Sequence, residues 1–263
     1  MIVDESNEIR IEDVPGIRYP EATPLARSQY DALLTTLRSL DEAQWNAPTD
    51  CELWTVKDIA AHLCAWAELI TSFSEARRVV RAAFARRKEM GNILDAANQV
   101  QVDARSSLTT GELLARMDEM LPKMVKARRR LGRYGRYVPL AGPPAGFYNL
   151  GFLANVIFTR DTFMHRIDIC RATGAPLDLG DSEKRIVADI VADWLRRGSG
   201  AVRVVLTGPA GGVYVAGSGA RAEISADAVE LCRFFAGRAD RSVVATLGDT
   251  STIEARLAVP VTF

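Results

Sequence analysis

The sequence predicts an α+β protein in which a four-helix, up-and-down bundle precedes a small domain of helices and strands. Up to Ala172, apolar residues recur at spacings of three and four, as on helices that bury one face. After Pro176, short alternating segments appear that are typical of strands. We therefore expect a polar lead-in over residues 1–22, a helical bundle over 23–176 and an α+β domain over 182–263.

Composition and charge argue against several classes of protein. The formal net charge is zero, which disfavours a dedicated nucleic-acid or membrane-surface binder. The segment Met1–Arg10 is acidic and polar, unlike a secretory signal. The four cysteines are scattered, and none forms a C-x-x-C pair, which suits free thiols in a reducing cytoplasm. We therefore expect a cytoplasmic monomer or homodimer that binds small molecules, not nucleic acid or membranes.

Apolar stripes and end signals predict the helices of the bundle. Thr55, followed three residues later by Asp58, is typical of a capped helix start. Thr173-Gly174 is typical of a helix end. Pro122 interrupts one stripe and predicts a kink or an early end. The predicted helices are one from Pro24 to Leu40, one that begins at Thr55 and extends toward Lys88, a lesser one from Leu94 to Arg105, one from Thr109 or Thr110 to the basic run Lys123–Arg136, and one from Tyr148 to Ala172.

The C-terminal part of the sequence predicts mixed elements. Its most distinctive feature is the glycine-rich Ala216–Gly219, which predicts a hairpin between the apolar segments on either side. The predicted elements are a helix over 182–197, a strand Val202–Leu206, hairpin strands Val213–Val215 and Ala222–Ile224, a short helix Asp227–Ala236, and strands Val243–Leu247 and Ile253–Val261.

Three residues form the candidate functional site. Asp161 and His165 stand four apart in a predicted helix, so their side chains share one face. His62, the other histidine of the chain, lies in a different apolar helix. Two imidazoles and a carboxylate bind zinc, nickel or iron and leave positions open for water or substrate. The alternative is structural, since Asp161 and His165 also suit a simple hydrogen-bonded pair, and a histidine on an apolar helix is commonly a core residue.

Two segments of the sequence resemble a known family. The segment Leu53–Leu63 resembles the first motif of the DinB/YfiT-like metal-binding bundles, in which tryptophan and threonine open a helix and a histidine follows. The segment Asp161–Asp168 resembles the second motif, an acidic residue followed by His-Arg-x-Asp. More narrowly, both resemble the mycothiol-dependent maleylpyruvate isomerase family. That resemblance implies a DinB-like bundle followed by a small domain similar to sterol carrier proteins.

The resemblance also implies a chemistry. His62, Asp161 and His165 would bind a divalent metal ion, with zinc favoured, and mycothiol or a similar thiol would be the cofactor. In the family, the thiolate adds to a cis double bond conjugated to carbonyls, and elimination after rotation leaves the trans isomer. Relatives use the site for thiol transfer. The family usually has glutamate where Asp161 stands, so the shorter side chain predicts weaker or shifted metal binding.

Other residues are secondary candidates. Asp168, three residues after His165, is predicted to orient that histidine or to act on substrate, although a salt bridge is an equal alternative. Arg238 resembles a family arginine and is predicted to bind an acidic substrate or the thiol; a surface arginine is the alternative. Trp54 and Cys51 are predicted to line the pocket, with Cys51 a packed, unreactive thiol.

The remaining alternatives concern the basic clusters and the function as a whole. The clusters Arg77–Lys88 and Lys123–Arg136 are predicted to be solvated helix faces, or to attract an anionic substrate. The leading hypothesis for function is a metal- and thiol-dependent isomerase or S-transferase. The second is a non-catalytic protein that binds a small molecule or lipid-like ligand, favoured by the glycine-rich segment near Gly217 and by the short Asp161.

Overall fold

The structure, a computed structural model, describes residues 8–142 and 146–263 of the chain. These residues form two compact units. One is helical and spans Arg18–Leu177, and the other contains a sheet and joins residues 8–17 to Asp178–Phe263. The predicted α+β fold class is confirmed.

The helical unit contains a bundle of four long helices. Of these, α1 and α3 each pack against both α6 and α8, while α4 and α5 pack against each other beside α3. A two-stranded antiparallel ribbon, β2 with β3, precedes the last long helix. The elements are α1 (Ala22–Ser39), α2 (Glu42–Trp45), α3 (Val56–Thr71), α4 (Phe73–Arg86), α5 (Ile93–Asp103), α6 (Thr110–Tyr134), β2 (Pro139–Gly142), β3 (Gly146–Asn149), α7 (Leu150–Phe152), a π-helical segment (Leu153–Ile157) and α8 (Phe158–Thr173).

Local sequence signals account for the ends of these helices. The hydroxyl of Thr55 accepts from the backbone of Asp58, whose carboxylate accepts in return from Thr55, so the predicted capping box is confirmed. Thr109 caps α6 in the same way with Glu112. Helix α8 ends at Gly174, whose φ of 70° is a conformation that glycine adopts without strain.

Three predictions about the bundle helices were inaccurate. The helix that begins at Thr55 does not continue to Lys88, because Ser72 leaves helical geometry and caps a new helix. The early end predicted at Pro122 does not occur, because α6 continues past it to Tyr134. The predicted helix from Tyr148 begins instead at Leu150, after β3. The adjoining Pro143 and Pro144 lie outside the described residues.

The second unit is built on a five-stranded mixed sheet in the order β1-β5-β4-β6-β7. Strand β1 comes from the segment predicted as a loose lead-in, and it pairs in parallel with β5. Alternate residues of β4 are buried, as expected for a strand with one face in a core. The elements are β1 (Glu8–Arg10), α9 (Asp181–Arg197), β4 (Val202–Thr207), β5 (Gly212–Ala216), β6 (Ala222–Asp227), α10 (Ala228–Phe235), β7 (Ala245–Gly248) and α11 (Thr250–Leu257).

The predicted hairpin around Ala216–Gly219 was wrong. Strands β5 and β6 lie on either side of β4, which pairs antiparallel with β5 and parallel with β6. The hairpin is instead the β4–β5 pair, joined by a turn in which the amide of Gly211 donates to the carbonyl of Gly208. Both glycine-rich segments carry turn chemistry, so composition alone did not distinguish them.

The predicted strand Ile253–Val261 was also wrong, since residues 250–257 form α11. Asp249 caps this helix by accepting from the amide of Ser251. Ile253 and Arg256 are buried and stand three apart, which is a helical spacing. A short apolar run is compatible with a strand or with a helix, and the cap at Asp249 favours the helix. Across the described residues, no helix has the length and apolar character needed to cross a bilayer.

Candidate metal centre

The candidate site lies where α3 and α8 pack against each other in the helical unit. Helix α3 contributes His62, and α8 contributes Asp161 and His165 on successive turns. The site is therefore built from two rigid elements. The chain just before α3 adds Trp54, so the capping box of Thr55 fixes where this indole enters the site.

The structure brings the three predicted ligands together. Nε2 of His62 lies 3.6 Å from Oδ2 of Asp161, and Nε2 of His165 lies 3.4 Å from Oδ1 of the same carboxylate. One donor atom from each residue lies within 4.8 Å of the other two. Both imidazoles are buried, while the Asp161 side chain is 23% exposed. The aspartate thus reaches both histidines despite its shorter side chain.

These distances suit a shared ion better than direct hydrogen bonds. A hydrogen bond from nitrogen to oxygen measures about 2.7–3.2 Å, shorter than either distance from Asp161. Two ligands at about 2.0–2.1 Å from one tetrahedral zinc ion lie roughly 3.3 Å apart. The donor set of two imidazoles and one carboxylate is a common catalytic zinc set. The residues present therefore fit a divalent metal ion.

Asp168 lies behind His165. Its Oδ2 lies 3.0 Å from Nδ1 of His165, and its side chain is fully buried. A proton on Nδ1 shared with this carboxylate would leave the lone pair of Nε2 to a metal ion bound between His165 and Asp161. The structure therefore favours the predicted orienting role of Asp168.

The charges of the site shift two pKa values. Burial acts to lower the pKa of His165, but the charge of Asp161 and the contact with Asp168 outweigh it and raise the pKa well above its ordinary value, so a metal ion would have to displace a proton from Nε2. Burial acts to raise the pKa of Asp161, but His165 and His62 hold it below its usual range. Asp161 is therefore ionised at neutral pH, as a metal ligand must be.

Aromatic rings and one thiol surround the histidines. The ring centroid of Trp54 lies 4.8 Å from that of His62 and 6.0 Å from that of His165. Trp66, one turn after His62, approaches His62 edge-on. The thiol of Cys51 lies 3.5 Å from Oδ2 of Asp168 and 3.9 Å from Nδ1 of His165. Trp54 lies in the site as predicted, and Cys51 is closer to the histidine than its sequence context suggested.

Arg238 lies in the sheet-containing unit, just after α10. Its Nη1 donates to the carbonyl of Ala236 at 3.2 Å, and its own carbonyl accepts from Arg233. Its predicted roles in catalysis and thiol binding stay predictions.

Arg128 is a functional candidate that the sequence did not reveal. It belongs to the run Lys123–Arg136, which was predicted to be a solvated helix face, but its side chain is only 3% exposed. Its neighbours Arg129 and Arg130 are exposed, so the prediction was wrong for this one arginine. Its position four residues after Met124, on the stripe that begins at Leu113, was the available signal.

Comparison with known proteins identifies the family of the chain and agrees with its fold. Residues 26–170 match a family model described as the mycothiol maleylpyruvate isomerase N-terminal domain. The chain belongs to this family. The match covers both motifs of the site and most of the helical unit, and it confirms the family resemblance seen in the sequence. Members of the mycothiol maleylpyruvate isomerase family are enzymes.

Two solved structures resemble the chain as a whole. They are crystal structures of the mycothiol-dependent maleylpyruvate isomerase and of a variant of it in which alanine replaces a histidine. Each matches with a TM-score of 0.58 and 18% sequence identity over 93% of this chain and 96% of the other. At this identity the similarity supports the fold alone. No curated protein matches the sequence significantly.

Proposed function

We propose that this member of the mycothiol maleylpyruvate isomerase family is a metal- and mycothiol-dependent isomerase or S-transferase that acts on a small anionic substrate. The observation that carries the proposal is the convergence of His62, Asp161 and His165 on one point. A divalent ion bound there, zinc in our proposal, would lower the pKa of a bound thiol and maintain it as the thiolate nucleophile.

The side chains around that point have separable tasks. His62 and His165 would supply neutral nitrogen donors, and Asp161 would supply carboxylate oxygens that lie within 3.6 Å of both. Asp168 holds the proton of His165 on Nδ1, so that Nε2 stays a donor. Trp54 covers one side of both imidazoles, and its ring limits the access of water to the thiol. These tasks require no movement of the helices.

For an isomerisation, the chemistry balances without any other reactant. The thiolate forms a carbon–sulfur bond to a cis double bond conjugated to carbonyls, the adduct rotates about the resulting single bond, and elimination releases the trans isomer and the thiolate. An S-transferase would retain the carbon–sulfur bond in its product. A reducing cytoplasm, which we propose as the location, is where such a thiol would stay reduced.

A non-catalytic ligand-binding role has less support. One of its two motivations was the glycine-rich segment near Gly217, which forms no hairpin. The other was the short Asp161 side chain, and its oxygens lie within 3.6 Å of both histidines. We therefore retain the enzyme as the single proposal.

The test combines metal analysis with turnover. The full chain, purified without chelator or a metal-affinity column, is expected to contain about one zinc ion per protein. Asp161→Asn preserves the shape of the side chain and removes its charge, so both the zinc content and the mycothiol-dependent consumption of a cis-enedione acid should fall. Asp118→Asn, the same change at an exposed carboxylate of α6, should alter neither. Full zinc occupancy in Asp161→Asn, or wild-type chain without metal, would overturn the proposal.

A further inference from the structure

A small cavity lies in the bundle beside the candidate metal centre. Its volume is about 10 Å³, roughly the room that one water molecule needs. Its walls are largely apolar, but Asp161 and Arg128 also line it. The lining residues are Tyr30, Leu63, Trp66, Ala67, Ile70, Met124, Arg128, Phe158, Asp161 and Thr162. The cavity thus joins a metal ligand to a buried arginine.

Arg128 is held in place by uncharged groups. Its Nε and Nη2 donate to the carbonyl of Ala154 at 2.8 and 2.6 Å, and Nη2 also donates to the hydroxyl of Thr159 at 2.5 Å. Ala154 belongs to the π-helical segment. Throughout the part of the chain that the structure describes, Arg128 forms no ion pair with a carboxylate, and its Nη1 makes no hydrogen bond. One nitrogen of the guanidinium group, Nη1, is therefore available to a ligand.

A buried cation of this kind is costly. Burial lowers the pKa of Arg128 to about 10, an effect that the charges of Tyr30 and Asp161 partly offset, so the side chain is still cationic at neutral pH. Buried charges in proteins are normally paired or bound to a metal ion. Asp161 lines the same cavity, but its oxygens face His62 and His165, and among the described residues it forms no ion pair with Arg128. The cavity thus contains a cation without a directly paired anion.

A purely structural role explains only part of this arrangement. The bonds to Ala154 and Thr159 connect α6 to the π-helical segment and to α8, and they employ Nε and Nη2. An uncharged donor would make the same connection without the cost of a buried charge. The guanidinium carbon also lies 5.9 Å from the ring centroid of Phe158, a cation–π contact, but this contact does not use Nη1.

We propose that Arg128 forms a carboxylate-binding subsite, in which the guanidinium receives one carboxylate of the substrate while the reacting part lies at the metal centre. The free Nη1 can donate a charge-assisted hydrogen bond to one carboxylate oxygen, while Nε and Nη2 keep their bonds to Ala154 and Thr159. The open space is the size of about one water molecule, so it accepts one carboxylate oxygen in place of a water, and the subsite contacts one end of the substrate. The inference rests on the proposed function, since it assigns an acidic substrate to the same site.

The experiment measures binding of maleate, a cis dicarboxylate, to the purified full chain by calorimetry, with its uncharged diamide as the reference ligand. Arg128→Met removes the charge and retains the length, and it should weaken maleate binding by about tenfold or more, as expected for loss of hydrogen bonds to a charged group. Arg129→Met, the same change at the adjacent exposed position, should bind maleate like the wild type. Equal affinity of the wild type and Arg128→Met would overturn the inference.

Two further variants test whether a change in maleate binding arises from the subsite itself and not from altered protein stability or loss of the metal ion. Ala67→Leu fills the cavity and leaves Arg128 in place, so it should also lose maleate binding; unchanged binding in a folded Ala67→Leu would count equally against the subsite. His62→Ala removes a metal ligand that does not line the cavity. In that background, Arg128→Met should still weaken maleate binding. This comparison separates two outcomes. If the metal-dependent function is wrong, Arg128→Met still weakens maleate binding; if the subsite is wrong, it does not.

Discussion

The carboxylate of Asp168 lies 3.0 Å from Nδ1 of His165 and is fully buried behind it. This contact determines which nitrogen of His165 faces Asp161. The amide of Asp168→Asn preserves the shape but, as a weaker acceptor, reduces the basicity of the imidazole. We expect zinc affinity to fall by about 10- to 100-fold, the effect typical of changes in groups that orient metal ligands. Competition with a chromophoric chelator measures it.

The control for Asp168→Asn is the same change at Asp50, a carboxylate that contacts Arg171 on the surface. Asp50→Asn should retain wild-type zinc affinity. If Asp168→Asn also bound zinc like the wild type, and circular dichroism showed it to be folded, the orienting role would be wrong.

The cysteines differ in burial, and this predicts different reactivity. Cys64 is fully buried, and burial, followed by the charge of Glu68, raises its pKa to about 12. Cys51 is only partly buried. At pH 8 we expect iodoacetamide to modify Cys51 first and to reach Cys64 only after unfolding, because the thiolate is the reactive form.

Peptide mass spectrometry after timed labelling distinguishes the two thiols. Because Cys51 lies 3.5 Å from Asp168, a thiol ligand in the site should slow its modification. In the variant Cys51→Ser, the modification that remains gives the slow rate of the other cysteines. Faster modification of Cys64 than of Cys51 in the folded protein would contradict the assignment.

The sequence was most informative where the signal is local. The capping box of Thr55 and Asp58 and the helical spacing of Asp161 and His165 depend on residues within one turn, and each is present in the structure. The expectation that His62 would meet Asp161 came from two motifs that resemble a family. Packing between α3 and α8 brings these residues together. Spacing alone did not predict that packing.

The misassigned features depend on contacts between distant residues. The pairing of β6 with β4 and not with β5 is decided by the whole sheet, while the glycine-rich segments beside them have the same local chemistry. Likewise, Arg128 resembles its neighbours Arg129 and Arg130 in sequence. Its spacing from Met124 indicated a buried position, but a buried arginine needs partners, and these are the carbonyl of Ala154 and the hydroxyl of Thr159 on other segments. The sequence alone did not place those partners beside α6, which is why this burial was not predicted.

Glu75 predicts a component of stability that depends on pH. Its carboxylate accepts a hydrogen bond from Arg78, and this bond lowers its pKa. Partial burial opposes the shift, a hydrogen bond from Arg105 adds to it, and the resulting pKa is about 2. A carboxylate with a lowered pKa stabilises the folded state fully when the pH is above its ordinary pKa of about 4.5. This stabilisation is lost as the pH falls toward 2. Solvent screening limits the contribution to about 1 kcal/mol.

We therefore expect Glu75→Gln to be less stable than the wild type at pH 6 and to approach it near pH 2.5. Urea unfolding across this range gives both free energies. Glu52→Gln, at an exposed carboxylate, should parallel the wild type at every pH. A constant difference between Glu75→Gln and the wild type would show that the charge of Glu75 has no part in the effect.

Gly132 allows α6 to approach the π-helical segment closely. A Cβ atom at this position would lie 2.1 Å from Oδ1 of Asn155, whose amide donates to the carbonyl of Gly132 at 3.4 Å. In Gly132→Ala, Asn155 must rotate away and lose this bond inside the core. We expect the free energy of unfolding to fall by about 1–2 kcal/mol, despite the better helix propensity of alanine.

Gly111, also in α6, gives the matched control, because a Cβ atom there would have no neighbour within 4 Å. Gly111→Ala should therefore stabilise the chain by up to about 1 kcal/mol. Since Asn155 follows Ala154, the carbonyl that holds Arg128, Gly132→Ala should also weaken maleate binding, whereas Gly111→Ala should not. If both variants gained stability equally, the close approach at Gly132 would have no energetic importance, and the position of Arg128 would depend on its own hydrogen bonds alone.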